Sequence, residues 1–555
     1  MAVQEPQLPK EWLESAPYDD AGFWSRLSFA FIQPLLRVGA KRALLAGDLP
    51  KLATHDTARN STESIWAEWE SSGEASRRGR RLLGCIYRAQ KGAFLASGVL
   101  TLVEGASIVV QPAILAFLIS WLDSDDSLAT GLMLAAALAF ASLVQGVVHH
   151  KNFFLTMRLG WHVRIGMTGV LHRKLLRVAA ARLRGQDNQQ AAKQATVLIG
   201  ADAERFDALA PFLHFGWVAI LEFIALVALL VLQVGYFAGF AAAATVVVMM
   251  QVTAYLGKKL GERRRITAGV SDQRVSLTSE VLQAMATVKV YAWESSFSRK
   301  IAGLREEEHR NIAISQRMKA INLGMQGAAA SVAAFFTFGI YVGLEGNDLS
   351  VSRAFATVAL LAALREVVGR HFPRFMETAP EAWVAVCRME DFLLLPEVRS
   401  FASTKTPLSE VRDGQVVLAV DGATFYWPSA GLAEDADGAG PKEPAAEEEP
   451  LTAASRVVAL DNVSLRARRG RLTIVNGPVG SGKSGLLSAI LGELECDDRS
   501  KVTANGALAF CPQEPWIMSG SLKENVLFNS DWNEDRFTKV LGACALDVDV
   551  KQLPD

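Results

Sequence analysis

Eight residues, Gly477-Pro478-Val479-Gly480-Ser481-Gly482-Lys483-Ser484, have the types and spacing to hold a nucleoside triphosphate. They fit G-x-x-x-x-G-K-[ST] between a short apolar run, Leu472 to Val475, and a segment, Leu486 to Leu491, that reads as a helix. Glycines let successive backbone N–H groups turn inward around phosphate oxygens, and the helix N-terminus adds its dipole. Lys483 then reaches the β- and γ-phosphates, and the Ser484 hydroxyl holds Mg²⁺. An ordinary Gly-rich turn has no reason to fill every fixed position between a strand and a helix, so ATP and Mg²⁺ are the expected cofactors.

The rest of the chain must position this loop. Its 555 residues exceed one hydrophobic core, so at least two domains are expected. Half the residues are hydrophobic, more than a soluble ATPase needs, and long apolar runs account for the excess. A net charge of −1 gives no reason to invoke nucleic acid. The five cysteines, Cys85, Cys387, Cys496, Cys511 and Cys544, lack zinc-ligand spacing and read as reduced packing thiols. The histidines form no ligand pattern either; the neighbours His149 and His150 fall on different faces of a helix and read as structural.

In chain order, residues 1–82 form a polar N-terminus without a secretory pattern, which places it in the cytosol. Within it, Phe23 to Val38 is aromatic and apolar but too short to span about 30 Å of hydrocarbon, so it suits a helix lying in the membrane interface. The stretch Lys51 to Arg81 ends in a basic cluster, Arg77, Arg78, Arg80 and Arg81. Six membrane spans are expected within residues 83–395: Ala93 to Leu122, Leu128 to Val148, Pro211 to Val234, Tyr236 to Leu256, Ile321 to Val342, and Val351 to His371, the last being the weakest.

Connector charge sets the orientation. The long links after the second and fourth spans are basic, whereas the link after the first is short and carries Asp123, Asp125 and Asp126. The positive-inside rule then puts the long links and both termini in the cytosol. Long links with few Gly or Pro breaks predict helical stalks that leave the bilayer and end in short contact helices. Charge inside a span is costly and usually faces a cavity or a partner, so Glu104 and Glu222 are either pathway candidates or carboxyls that are protonated or paired structurally. After the sixth span, Glu366, Arg370, Arg374, Glu377 and Glu381 recur at three- and four-residue spacing. They form either a solvated ion-pair ladder or, with Arg365 and His371, an aqueous vestibule that attracts anions.

Residues 396–413 read as a linker, and from about Gly414 the pattern changes to short β-type runs, Val416 to Val420 and Ala423 to Trp427. Residues 429–455 are acidic and low in complexity, an expected disordered insertion. Strands resume at Val457, and a later one, Ala507 to Cys511, precedes Pro512-Gln513-Glu514-Pro515. The expected fold is an α-helical membrane domain of six long transmembrane helices followed by an incomplete α/β P-loop nucleotide-binding domain over residues 414–555.

These residues resemble the ABC exporters of the C subfamily, the multidrug-resistance-associated proteins, particularly fungal-type members. The resemblance covers nearly the whole chain: FWSRLSFAFIQPLLRVG, LIGADAERFD, EVLQAMATVKVYAWE, ATFYW, GPVGSGKS and CPQEPWIMSGSLKENVLF. It implies the membrane fold of the type IV exporters. It implies that Trp427, next to Tyr426, stacks on adenine, and that Gly477, Gly480, Ser481, Gly482, Lys483 and Ser484 cradle the phosphates. Gln513 resembles the glutamine that touches Mg²⁺ beside Ser484. Tyr291, Ala292, Trp293 and Glu294 resemble the second coupling helix, and the region before Asp202 to Asp207 the first.

By the same resemblance, the expected function is ATP-driven export of amphipathic organic anions, conjugates or xenobiotics by alternating access, in a plasma or vacuolar membrane. Two departures stand out. Gly485 follows the P-loop hydroxyl where relatives usually carry Ser or Thr, which removes a possible α-phosphate hydrogen bond. The signature motif, the catalytic carboxylate and the switch histidine of the family are expected beyond Asp555, so the chain reads as an N-terminal half without unaided ATPase activity that needs a missing half as partner. The alternatives are a nucleotide-gated channel or channel regulator of the same subfamily, and a non-catalytic interaction protein.

Overall fold

The computed structural model describes residues 9–73, 78–122, 124–178, 195–395, 397, 412–427, 457–496, 502–505, 508–513, 516–528 and 530–552. The acidic insertion, most of the linker, Arg77, Asp123 and the residues before Ala195 in the first expected coupling region lie outside the described residues. The chain divides into two compact units, one holding the long helices and the other the strands and the P-loop.

Among the described residues, five helices are long and apolar enough to cross a membrane: Lys91–Leu122, Leu128–Leu175, Ala195–Val234, Tyr236–Gln283 and Glu294–Leu344. The third and fourth are joined through Gly235 alone, whose φ of 81° is a left-handed conformation open to glycine. At 1.5 Å per residue, the 48-residue helices Leu128–Leu175 and Tyr236–Gln283 run about 72 Å. That is more than twice the hydrocarbon thickness, so the expected stalks are present. Beyond its apolar part, the fourth helix is joined to the fifth by Glu308. This buried carboxylate accepts from Ser271 Oγ at 2.5 Å, Arg274 Nε at 2.9 Å and Arg305 Nη1 at 2.5 Å.

The sixth expected span is not among the five. It is α-helical over Val351–Glu366, passes through a π turn, Val367–His371, and continues as Phe372–Leu394. Arg365, Glu366 and Arg370 arrive before an apolar stretch of membrane length is complete. The expected interfacial helix over residues 23–38 is also divided, into Phe23–Ser28, a 3-10 turn Ala30–Ile32, and Gln33–Gly39. Phe29 adopts φ 58°, which ends the first piece, and Pro34 fits only the first turn of a new helix because it lacks an N–H.

The two larger apolar clusters among the described residues hold most of the helices. In the polar half, Leu159, Val163, Met167, Val170 and Leu171 recur at three- and four-residue spacing on the second long helix. They pack with Ile65, Trp66 and Trp69 of helix Ala58–Ser71, Leu82 and Cys85 of helix Arg80–Ala89, and Met389 and Phe392. In the apolar half, Leu226 and Leu230 of Phe215–Val234 meet Val246, Ala333, Leu360, Leu361 and Leu364. Of the cysteines, Cys85 is buried but Cys511 and Cys544 are exposed, so packing does not account for all five.

In the second unit, β1 (Val416–Tyr426) lies between β2 (Val458–Arg468) on one edge and β3 (Glu495–Cys496) with β4 (Val502–Ala504) on the other, all antiparallel. The two expected β runs become one strand, with its register shifting between Val420 and Ala423 around Gly422. The run Leu472 to Val475 forms no strand, nor do residues 508–511 of the later expected strand; Ala507 itself lies outside the described residues. A strand needs a hydrogen-bonded neighbour, and neither run has one among the described residues. Leu472 and Ile474 are accordingly exposed.

Candidate functional site

Lys483–Ile490 is a helix whose N-cap, Gly482, takes φ 88°, and Gly480 takes φ 85°. Both are conformations that L side chains rarely adopt, and the two glycines turn the backbone around a concavity at the helix N-terminus. A Cβ on Gly477 would lie 2.8 Å from Ser481 Oγ, so a larger residue there would turn that hydroxyl aside. Leu486, Ala489 and Ile490 anchor the helix through one buried face. Lys483 Nζ donates to the carbonyls of Gly477 at 2.9 Å and Pro478 at 2.7 Å, which stations an ammonium at the mouth of the loop. These donors suit a phosphate chain: backbone N–H groups, one ammonium and, at Ser484, one hydroxyl next to the helix start.

The β1–β2 pair closes on this loop from one side. Leu460 of β2 is paired with Phe425, and its Cδ2 comes within 3.0 Å of a Cβ built on Gly482. Trp427 follows β1, held by a backbone hydrogen bond from its N–H to Val457 O at 2.9 Å. Its ring is exposed whereas Tyr426 is half-buried, so Trp427 is the aromatic available to a base. Gln513 sits on an exposed bend and makes no hydrogen bond with Ser484.

Tyr291 to Glu294 are not themselves a helix. The short helix is Met285–Val290, and Tyr291, Ala292 and Trp293 form the turn after it, with Ala292 at φ 52° and Glu294 opening the fifth long helix. The Tyr291 and Trp293 rings stack at 4.9 Å, Lys289 pairs with Glu294 at 3.3 Å, and Val290 is 81% exposed. The result is an exposed tip at the end of two long helices, with apolar side chains and one ion pair. Asp202, in a π turn, is buried and pairs with Arg388 at 3.0 Å, and Asp207 pairs with Arg164 at 2.5 Å.

The membrane helices bring the two acidic pathway candidates together. Glu104 is 1% exposed; His149 Nδ1 lies 2.6 Å from one of its oxygens, and Asn152 Nδ2 donates to the other at 3.1 Å. Ser97, Thr101 and Glu104 share one face of the first long helix, where Ser97 Oγ meets His214 Nε2 at 2.9 Å and Thr101 Oγ1 accepts from Asn152. Glu222 is 3% exposed, and neither of its oxygens has a hydrogen-bond partner among the described residues. Its Oε1 lies 2.1 Å from where Gly105 would carry a Cβ, so the carboxylate rests against the backbone beside Glu104.

His371 is 5% exposed, stacks on Phe215 at 4.2 Å, and has an unpartnered Nδ1 among the described residues. Arg370 instead turns outward to Glu366 at 2.6 Å and Arg374 pairs with Glu377 at 2.7 Å, which is the ion-pair ladder. Arg365 is half-buried with no ion pair among the described residues. Sequence reasoning took His149 as structural and did not single out Asn152; polar side chains inside apolar runs were the available signal.

Comparison with known proteins agrees with this architecture. Residues 94–368 match the ABC transporter transmembrane region. The chain is 31% identical over 551 residues to "ATP-binding cassette sub-family C member 4" of Homo sapiens, and 32% identical over 547 residues to the protein of that name from Mus musculus. Each alignment covers 97% of this chain but only 39% of the relative, so the chain spans about two fifths of the length of these relatives. The matched membrane region and the alignment along the whole chain together place it in a family: the chain belongs to the ABC transporters of the C subfamily.

Proposed function

We propose that the chain supplies a membrane pathway and an ATP-binding surface to an exporter of amphipathic organic anions, conjugates or xenobiotics. The observation that carries the reading is the P-loop, with Lys483 at its mouth and a positive-φ glycine on either side of Ser481, in a chain with five membrane-length helices. In this reading Val351 to His371 completes six spans, the basic stalks and both termini face the cytosol, and residues 414–555 form the nucleotide-binding domain. Trp427 stacks on adenine, Ser484 and Gln513 hold Mg²⁺ once the loop bearing Gln513 closes, and the Tyr291–Trp293 tip transmits closure to the spans. Glu104, Glu222 and His371 line the pathway, with Arg365 and Arg370 at its entrance.

Hydrolysis needs a facing surface with a signature motif and a carboxylate that orients water. The residues described above provide the phosphate cradle, so turnover is expected only when a second nucleotide-binding domain completes the site. The test is Mg-ATP binding and turnover on the purified chain in nanodiscs, beside Lys483→Ala. Saturable binding lost in the variant, with turnover in neither, supports the reading. Turnover that survives in Lys483→Ala, or binding indifferent to it, overturns it.

A further inference from the structure

The basic cluster ahead of the first span plays no part in the reading above. Helix Arg80–Ala89 leads into Lys91–Leu122, the first membrane-length helix, with Gln90 as the joint. Against helix Ala58–Ser71 it encloses a recess of about 390 Å³ lined by Ser71, Ser72, Arg80, Arg81, Gly84 and Arg88, with Gly73 at its edge. Among the described residues, no carboxylate lines this recess. Three guanidinium groups around one hollow repel each other, and among the described residues only Arg88 has a carboxylate, Glu68, against it.

The three arginines are differently held. Arg81 stacks on the Trp69 ring at 4.0 Å and donates through Nε to Ser72 Oγ and through Nη2 to the carbonyls of Trp69 and Ser72, which leaves Nη1 uncommitted. Arg88 is steered by one bond, Nε to Glu68 Oε2 at 2.6 Å, with Nη2 near Cys85 Sγ, so its Nη1 is also uncommitted. Arg80 is exposed and makes no ion pair or hydrogen bond among the described residues. Arg78 is excluded, because Asp391 holds it. Two guanidinium forks are therefore pre-oriented by protein partners and a third is free, an arrangement matched to a phosphate ester with several anionic oxygens.

Place narrows the ligand further. Arg88 stands five residues before Ala93, where the apolar run of the first span begins, about 8 Å along a helix. We infer that this recess binds a phosphorylated headgroup of the acidic lipids in the adjoining leaflet, with Arg80, Arg81 and Arg88 as its ligands. Basic clusters of this kind next to a span attract acidic lipids, each near-surface arginine contributing about a fivefold gain in affinity. The attraction weakens as salt rises.

The experiment is native mass spectrometry and fluorescence titration of the whole purified chain with phosphatidylinositol 4,5-bisphosphate, phosphatidylcholine and soluble inositol trisphosphate. The wild-type chain should retain the phosphoinositide over phosphatidylcholine, and Arg80→Gln, at an exposed side chain without intrachain partners, should lower that preference about fivefold. Arg80→Lys should recover part of it, as a point charge without the guanidinium fork. Retention of the lipid without the soluble headgroup identifies a membrane ligand. Comparable binding of both keeps the phosphate recognition but moves the source to the cytosol. Equal retention of phosphoinositide and phosphatidylcholine, or a preference unchanged by Arg80→Gln, overturns the inference.

Discussion

Gly485 gives the most direct handle on the nucleotide site, because the substitution to make is a gain. It is the third residue of helix Lys483–Ile490, and a Cβ built there meets nothing within 4 Å, so serine enters without displacing a neighbour. Two effects then separate. Glycine costs a helix about 1 kcal/mol relative to alanine and serine about half that, so Gly485→Ser strengthens the helix by roughly 0.5 kcal/mol with or without ligand. A hydroxyl in the first turn of the cradle also donates to a phosphate oxygen, and hydrogen bonds to charged groups contribute about 1.5–3 kcal/mol. At about 1.4 kcal/mol per tenfold, affinity for Mg-ATP rises roughly ten- to hundredfold.

The assay is displacement of a fluorescent nucleotide by Mg-ATP on the whole chain in nanodiscs, with Gly485→Ala as the control. Alanine should raise the melting midpoint and leave affinity nearly unchanged, since a helix gain present in both free and bound states cancels in binding. Serine should improve both. If serine tightens binding no more than alanine does, the first helical turn does not face phosphate and the reasoning about the cradle fails.

Two further outcomes follow from the polar half of the helical unit. Met167 is fully buried in the core beside Trp66 and Leu82, so Met167→Ala should cost about 2–5 kcal/mol, read as a fall of several degrees in the melting midpoint; an unchanged midpoint contradicts the packing described. Asp48 accepts from Arg42 Nη1 and Nη2 at 2.7 Å each and from the Leu45 N–H at 2.8 Å, and the Arg42 bonds above all hold its carboxyl down to about 2. A carboxyl lowered on folding contributes stability that is complete above its ordinary value near 4 and is lost as pH falls from there towards 2. Asp48→Asn should flatten the pH dependence of the midpoint within that window and leave it alone above pH 5; a flattening only above pH 5 would contradict the pairing.

The elements most legible in the sequence are those set by local chemistry. Apolar runs of membrane length located five long helices, Gly235 located the break between two of them, and the P-loop pattern located a helix start whose glycines take the expected positive φ. Pairing between distant residues was not legible. Leu472 to Val475 has the composition of a strand, but composition does not supply a neighbour, and the run remains unpaired and exposed. Tyr291, Ala292 and Trp293 form a turn rather than a helix, because a left-handed Ala292 follows the short helix Met285–Val290 and no local signal marks that conformation in alanine. His149 and Glu104 are 45 residues apart, and only the packing of two long helices brings them within 2.6 Å.

The charges inside the bundle also change the electrostatic picture of the pathway. The charged stripe after the sixth expected span reads from sequence either as a solvated ion-pair ladder or, through Arg365, Arg370 and His371, as a basic vestibule. In the folded helices Arg370 is already neutralised by Glu366 four residues away, as helix geometry favours for that spacing. The side chains that turn inward are Glu104, Glu222, His149, His214 and His371, and the two carboxylates sit side by side against Gly105. Glu104 is satisfied by His149 and Asn152, whereas Glu222 has neither oxygen paired among the described residues. A group so placed is costly in a membrane interior, and a single substitution to leucine would remove that cost without opening a large void. These groups occupy two levels of the bundle, since Glu222 stands eight residues, about 12 Å along its helix, from His214.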